Sequence, residues 1–509
     1  MPDPGGWLIA PAVGGLLALL IERLLEPATG WPWRRPPAAL ALHFGVWCLF
    51  SAALLAVVQR PFFTSAVWLA GFLFVVLVSN AKYMALREPF IFQDFEYFAD
   101  ALRHPRLYLP FLGLGRAVLA VAVLIAAVWA GLAAERSLLE ERSGNDFRTL
   151  LALQALFAGG LLWLGARRRL LISFDPVTDM QRLGLLAAMW RYGEEEMADN
   201  AIASRFRVPA ENEAAPTGSG HLVVVQSESF FDARRLAASI RPDVLREFDD
   251  LLADAQVGGR LAVAAWGANT VRTEFAFLSG LANDSLGIHR FNPYRRLAKQ
   301  GIVSLARVLR CHGYHTVCVH PYARSFYGRD KVFPELGFDE FIDLRQFAET
   351  DRHGPYIGDL AVAERVCSLL RNPAARPLFV FVITMENHGP LHLEKVDTGE
   401  AERFYHLPPP PGCEDLTIYL RHLANANRMA GLLRETLATL PGAGCLCWYG
   451  DHVPIMPAVY QRLGEPDGRT DYLIWRKTGD PPARTRQDLA VEDLGARLLR
   501  EIGLSAAVK

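Results

Sequence analysis

Four stretches of this chain end in residues that can do chemistry, and three of them follow apolar runs. Leu222-Val223-Val224-Val225-Gln226-Ser227 leads to Glu228, Leu378 to Thr384 leads to Glu386-Asn387-His388, and Leu446-Cys447-Trp448-Tyr449-Gly450 leads to Asp451-His452. In the fourth, Trp266-Gly267-Ala268-Asn269 runs into Thr270, ahead of a helix expected over Thr273 to Leu281. A hydroxyl at a strand-to-helix turn is exposed as a nucleophile should be. Threonine is also a common helix cap, so this stretch alone leaves both readings open. Two carboxylates, an imidazole and a threonine oxygen form a mixed ligand set suited to one divalent ion, which makes a hydroxyl nucleophilic. Asp451 and His452 are consecutive, and an extended backbone would aim them to opposite faces. Both can reach one ion if the chain bends, and Gly450 and Pro454 supply that bend.

These ends must be brought together by the elements behind them. Leu222 to Val225, Arg260 to Ala265, Thr316 to His320, Leu378 to Thr384, Cys445 to Tyr449 and Tyr472 to Trp475 read as buried strands. Ile302 to Arg310, Asp359 to Leu370, Leu416 to Leu440 and Val491 to Ile502 read as helices between or after them. The alternation predicts an α/β/α sandwich with a mainly parallel sheet. In such sheets the side chains beyond the carboxyl ends of the strands converge on one crevice.

Taken in order, Gln-Ser-Glu228-Ser, Gly-Ala-Asn-Thr270-Val-Arg-Thr-Glu-Phe, Glu-Asn-His388-Gly-Pro and Tyr-Gly-Asp451-His452-Val-Pro resemble the lipoteichoic acid synthase and phosphoglycerol transferase family. That family lies within the alkaline phosphatase and sulfatase superfamily. The resemblance spans roughly residues 221 to 480 and implies an alkaline-phosphatase-like fold. It implies that Glu228, Thr270, Asp451 and His452 hold one divalent ion, manganese first with magnesium or zinc as alternatives, and that Thr270 is the nucleophile. It also implies substrate-phosphate roles for His388, Arg329 and Tyr327; His320 and His315 read as structural residues, with a supporting or substrate contact as the alternative for His320. Tyr327 stands where lipoteichoic acid synthases carry a tryptophan, a departure that bears on headgroup and acceptor rather than on phosphoryl transfer. Read singly, Glu228 is also a helix-start carboxylate, His388 a capping or core histidine, and Arg329 a partner for Asp330 or Glu335.

The activity implied is transfer of glycerol phosphate from phosphatidylglycerol to an envelope glycan or polymer through a phosphothreonine. Phosphoethanolamine transfer is the alternative within the superfamily, and a silent binding module of a polymer-export assembly the alternative outside catalysis. The Cys or Ser-x-Pro-x-Arg pattern that matures into the formylglycine of true sulfatases is missing around Thr270.

The rest of the chain places this domain at a membrane. Of 509 residues 51% are hydrophobic, and the net charge of −1 gives no reason to expect nucleic acid as a partner. Five apolar runs, Trp7 to Leu25, Ala39 to Val58, Phe62 to Tyr83, Tyr108 to Ala133 and Thr149 to Leu171, each approach the ~20 residues a membrane helix needs. The first lacks the basic start and cleavage site of a signal peptide and is read as retained. Expected domains are a membrane region over 1–172, a juxtamembrane helix (Pro176 to Tyr192) and polar linker over 173–220, and a catalytic domain over 221–509. The resemblance implies a bacterial inner membrane with the catalytic domain outside. Arg23, Arg34, Arg35, Lys82 and Arg167 to Arg169 then fall in outer segments, an arrangement the positive-inside rule opposes. Of seven cysteines Cys48 lies in a span; Cys311 and Cys318 could bridge, Cys445 and Cys447 share one strand face, and free thiols and bridges stand as equal expectations.

Overall fold

The structure is a computed structural model, described for residues 6–95, most of 122–198, 202–208, 220–373, 376–477 and most of 485–508. The chain divides into two compact units, Met1–Asp199 and Asn200–Lys509.

In the first unit, helices α1 (Gly6–Ile21), α2 (Pro37–Val58), α3 (Pro61–Leu86) and α4 (Gly144–Arg167) each carry an apolar stretch long enough to cross a membrane. The span expected over Tyr108 to Ala133 falls mostly outside the described residues. Proline opens α2 and α3, where its missing N–H costs nothing, and the Ser143 hydroxyl accepts from the Asp146 N–H at the start of α4. Large apolar side chains such as Leu16, Phe74, Leu156 and Trp163 face outward, as lipid contact requires. Buried acids lie inside this unit, Glu22 among them. Glu22 pairs with Arg35, lies 3.2 Å from His43 Nδ1 and accepts the Leu185 N–H at 3.1 Å, so its charge is matched in place. The juxtamembrane helix expected over Pro176 to Tyr192 is two helices, α5 (Pro176–Leu183) and α6 (Leu185–Met197). They break at Gly184, whose φ of +83° suits only glycine and whose Cβ would lie 2.0 Å from the Arg35 guanidinium.

The second unit is built on a nine-stranded sheet. Its central strands are β1 (His221–Ser227), β2 (Val257–Ala262), β3 (His315–Val319), β4 (Glu340–Ile342), β7 (Leu378–Ile383), β8 (Gly444–Gly450) and β9 (Thr470–Arg476). The hairpin β5 (Arg352–His353) and β6 (Tyr356–Ile357) stands apart. Across the sheet the order is β2-β9-β8-β1-β7-β3-β4, parallel from β8 to β4, with β9 reversed against both its neighbours. Alternate residues feed two cores. Val223, Val225, Leu446 and Trp448 pack on one face, and Leu222, Val224, Cys445 and Cys447 on the other. Helices α8 (Asp359–Arg371) and α9 (Glu414–Thr439) cover the first face. The other is covered by α7 (Thr270–Ser279) and α10 (Val491–Glu501). The expected α/β/α sandwich with a mainly parallel sheet is present. All seven cysteines are free, so the Cys311–Cys318 bridge does not form and the free-thiol alternative holds.

Candidate active site

β1 and β8 are adjacent and parallel, and Ser227 pairs in register with Gly450, so Glu228 and Asp451 emerge side by side. The chain bends at Asp451 and His452 immediately after β8, as the Gly450 and Pro454 pair suggested. Gly450 is required by contact: a Cβ there would lie 1.8 Å from the Phe230 carbonyl oxygen. Ligand atoms of Glu228, Asp451 and His452 all lie within 4.8 Å of one another, and all three residues are buried. His452 Nε2 stands 3.5 Å from Glu228 Oε1 and 3.3 Å from Asp451 Oδ2.

The surrounding bonds orient this trio. His452 Nδ1 lies 3.1 Å from the Val453 carbonyl, which assigns the proton to Nδ1 and leaves the Nε2 lone pair facing the carboxylates. Ser229, with φ at +53°, donates its N–H to Asp451 Oδ1 at 2.8 Å and its hydroxyl to Glu228 Oε1 at 2.9 Å. The Glu228 N–H in turn donates to Thr384 Oγ1 at 2.9 Å, tying β1 to the end of β7. Asp451 Oδ2 has no hydrogen-bond donor among the described residues. Burial pushes the Glu228 carboxyl up to about 8, with Asp451 adding to the rise and His452 and Arg329 opposing it. Two buried carboxylates and the lone pair of an imidazole nitrogen repel one another unless a proton or a cation intervenes. As a donor set they fit a divalent ion.

Thr270 is the first residue of α7 rather than lying three residues ahead of the helix, and Asn269 before it takes the left-handed conformation at φ +65°. One turn on, the Thr273 hydroxyl donates to the Asp451 carbonyl at 2.9 Å, so the start of α7 is held against the trio.

Arg329 is fully buried, and its partner is neither Asp330 nor Glu335 but Glu274. Its Nε and Nη2 reach Glu274 Oε1 and Oε2 at 3.1 and 2.9 Å. The Glu274 carboxylate also accepts from Tyr294 Oη and, at 3.4 Å, from Gln226 Nε2. Arg329 Nη1 lies 3.2 Å from His320 Nε2, and His320 Nδ1 lies 3.1 Å from the Ile383 carbonyl. Burial and the neighbouring Arg329 hold His320 well below the ordinary histidine value, so it is a neutral ring that orients the guanidinium. Tyr327 takes φ +56°, and its ring lies 5.2 Å from the Arg329 guanidinium carbon. His315 lies elsewhere, 3.4 Å from Asp339 and 3.6 Å from Glu340.

His388 is half-buried in the loop after β7, with Nδ1 2.7 Å from the Gly389 carbonyl and 3.3 Å from Tyr356 Oη. Its pKa is held below the ordinary value by burial, with Asp451 pulling the other way. Sequence reasoning missed Glu274, Ser229 and Tyr356. Glu274 had a usable signal, since it follows Thr270 by four residues and so shares its helix face. Ser229 closes the Gln-Ser-Glu228-Ser motif and so stood beside a named ligand, whereas Tyr356 had no signal.

Residues 221–504, the sheet and its helices together, match the Sulfatase family. The chain belongs to the sulfatase family. Among curated relatives of this sulfatase-family chain is the capsular polysaccharide biosynthesis protein RkpI of Rhizobium meliloti, 28% identical over 446 residues that cover 84% of this chain and 79% of that protein. Among solved structures, the lipooligosaccharide phosphoethanolamine transferase A of Neisseria meningitidis, an integral membrane protein, superposes with a TM-score of 0.54 at 12% identity. It covers 92% of this chain and 91% of its own, so the likeness in fold takes in the apolar helices as well as the sulfatase-family domain. The Streptococcus pyogenes phosphoglycerol transferase GacH, in complex with sn-glycerol-1-phosphate, matches 56% of this chain and 74% of its own at 20% identity and a TM-score of 0.45.

Proposed function

We propose that this sulfatase-family chain is a membrane-anchored phosphoglycerol transferase that moves glycerol phosphate from phosphatidylglycerol to an envelope glycan or polymer. The observation that carries the reading is the convergence of Glu228, Asp451 and His452 beside the start of α7, where Thr270 stands. These four residues would hold a divalent ion, manganese by preference, which lowers the pKa of a coordinated hydroxyl and neutralises charge on phosphoryl oxygens.

Thr270 Oγ attacks the phosphorus of the donor. The bond from phosphorus to the diacylglycerol oxygen breaks, diacylglycerol takes up a proton, and glycerol phosphate remains on Thr270 as a phosphodiester. An acceptor hydroxyl then attacks the same phosphorus, loses its proton and releases Thr270. Arg329, fixed by Glu274 and His320, offers its remaining N–H groups to the phosphoryl oxygens. His388 has Nδ1 committed to the Gly389 carbonyl, so Nε2 is the atom that exchanges a proton with the leaving or entering hydroxyl. The relative named for capsular polysaccharide biosynthesis supports a glycan acceptor, and the four membrane-length helices among the described residues support a lipid donor within reach. The domain is proposed to lie outside a bacterial inner membrane, with 1–172 as its membrane region and 173–220 as its connector.

Phosphoethanolamine transfer is the second reading, favoured by the fold shared over nearly the whole chain with a phosphoethanolamine transferase. The two separate by intact mass after incubation with manganese and either lipid, beside Thr270→Ala. A glycerol phosphate adduct from phosphatidylglycerol, mapped to Thr270 and absent from the variant, is the expected result. A phosphoethanolamine adduct from phosphatidylethanolamine would replace the first reading by the second. An adduct on both proteins would remove Thr270 as nucleophile.

A further inference from the structure

A second cluster of metal-ligating side chains lies apart from the trio. Ligand atoms of His353, Glu386 and His422 stand within 4.8 Å of one another. They come from three separate elements, the β5–β6 hairpin, the loop after β7 and the middle of α9. Such convergence is not needed for the fold, because two imidazoles and a carboxylate contribute nothing to an apolar core.

The bonding around each of these groups leaves a ligand atom facing the cluster's own acid or free. Glu386 is fully buried, and its two oxygens are oriented by the Asp359 N–H at 2.6 Å and the Asn425 amide at 2.6 Å. Donors of this kind hold a ligating carboxylate in place. His422 is fully buried, with Nε2 3.2 Å from Glu394 Oε2. Glu394 is itself fixed by Arg421 at 3.2 Å. With its proton on Nε2, His422 carries a lone pair on Nδ1, and that atom is buried without a partner among the described residues. Carboxylate to imidazole to metal is the standard order in which a histidine is held for ligation. His353 Nδ1 sits 2.7 Å from Glu386 Oε1, close enough to share a proton. Two ligands of one tetrahedral zinc stand about 3.3 Å apart, from bond lengths of about 2.0–2.1 Å. His353 can open that distance, because its side chain is 44% exposed while Glu386 and His422 are enclosed.

We propose that His353, Glu386 and His422 bind a second divalent cation of the zinc class, entering from the exposed His353 side. Two nitrogens and one oxygen are the donor set of a borderline metal rather than of magnesium or calcium. The ion would join the hairpin to the loop that carries His388. Tyr356, on the same hairpin as His353, touches His388 Nδ1 at 3.3 Å, so the clip would also fix the surroundings of that imidazole. The inference concerns only these residues and holds for either phosphoryl donor.

The test uses the full chain in detergent, stripped with a chelator and re-equilibrated with zinc, with bound metal counted by elemental mass spectrometry. Asp451→Asn provides a background in which the Glu228 trio is disabled. In it, about one zinc ion per chain should persist, and adding His353→Ala should weaken that ion on the order of a hundredfold. His353 is half-exposed, so the variant should fold, and an unchanged circular dichroism spectrum verifies this. Glu386→Gln, close in shape, should act in the same direction. X-ray absorption at the zinc edge should report two imidazole ligands in the Asp451→Asn protein. No zinc bound by Asp451→Asn, or equal affinity with and without His353, would overturn the proposal and leave a His353–Glu386 ion pair in its place.

Discussion

Acidification should expel the divalent ion from the Glu228, Asp451 and His452 site, with the Glu228 carboxyl setting the pH range. Burial and the neighbouring Asp451 hold that carboxyl at about 8 in the ion-free protein. A protonated carboxyl is a poor ligand, so below this value the ion must displace a proton, and affinity falls about tenfold per pH unit. Between about pH 8.5 and about pH 6.5 the loss comes to roughly 25-fold, or about 2 kcal/mol. The stability of the ion-free fold moves the other way. Because the folded-state value is raised, the proton on Glu228 stabilises the fold at low pH, and that contribution disappears as pH rises through about 8. Calorimetric titration of manganese into the full chain in detergent, at the two pH values, measures the first effect. Glu228→Gln should bind more weakly and lose most of the slope. A wild-type affinity that changes less than about threefold would show that Glu228 does not titrate as the burial argument requires.

Three further outcomes follow from individual contacts. Arg329→Lys cannot hold both Glu274 oxygens and His320 at once, and transfer to acceptor should fall on the order of a hundredfold, measured as kcat/KM with labelled lipid. His388→Gln should lower kcat by about a hundredfold or more while leaving the donor KM within a few-fold. With manganese kept saturating at every pH, the wild-type rate should stay flat through neutral pH and fall only below the His388 value, which burial holds under that of an ordinary histidine. Gly450→Ala drives a Cβ into the Phe230 carbonyl at 1.8 Å, and the variant should lose at least about 3 kcal/mol of stability, read as early aggregation on heating. A Gly450→Ala protein with wild-type thermal behaviour would mean the β1–β8 contact is looser than described.

Hydrophobic patterning determined the fold class directly from the chain. Val223 to Val225, Leu378 to Ile383 and Cys445 to Tyr449 are unbroken apolar runs, which only strands covered on both faces require, and the sheet contains all three. Membrane-length helices were legible for the same reason, because lipid demands apolar side chains around the whole helix. Gly450 marked a tight place in the sequence, and the contact a Cβ would make there with the Phe230 carbonyl is the reason no other residue fits. Adjacent acid and imidazole after β8 could be read as a pair, since a bend is all their convergence requires.

What the sequence could not carry was pairing across long separations. The acid opposite Arg329 lies 55 positions earlier at Glu274, on the helix that Thr270 opens, and not at its sequence neighbours Asp330 and Glu335. The reversal of β9 and the absence of cysteine bridges depend on how strands are ordered across the sheet, which no local pattern encodes. Most plainly, His353, Glu386 and His422 occupy unrelated stretches of chain with no spacing that links them. Only the docking of the β5–β6 hairpin and the loop after β7 around α9 brings their ligand atoms within 4.8 Å, because burial of the surrounding apolar faces, not any motif, decides where those three side chains meet.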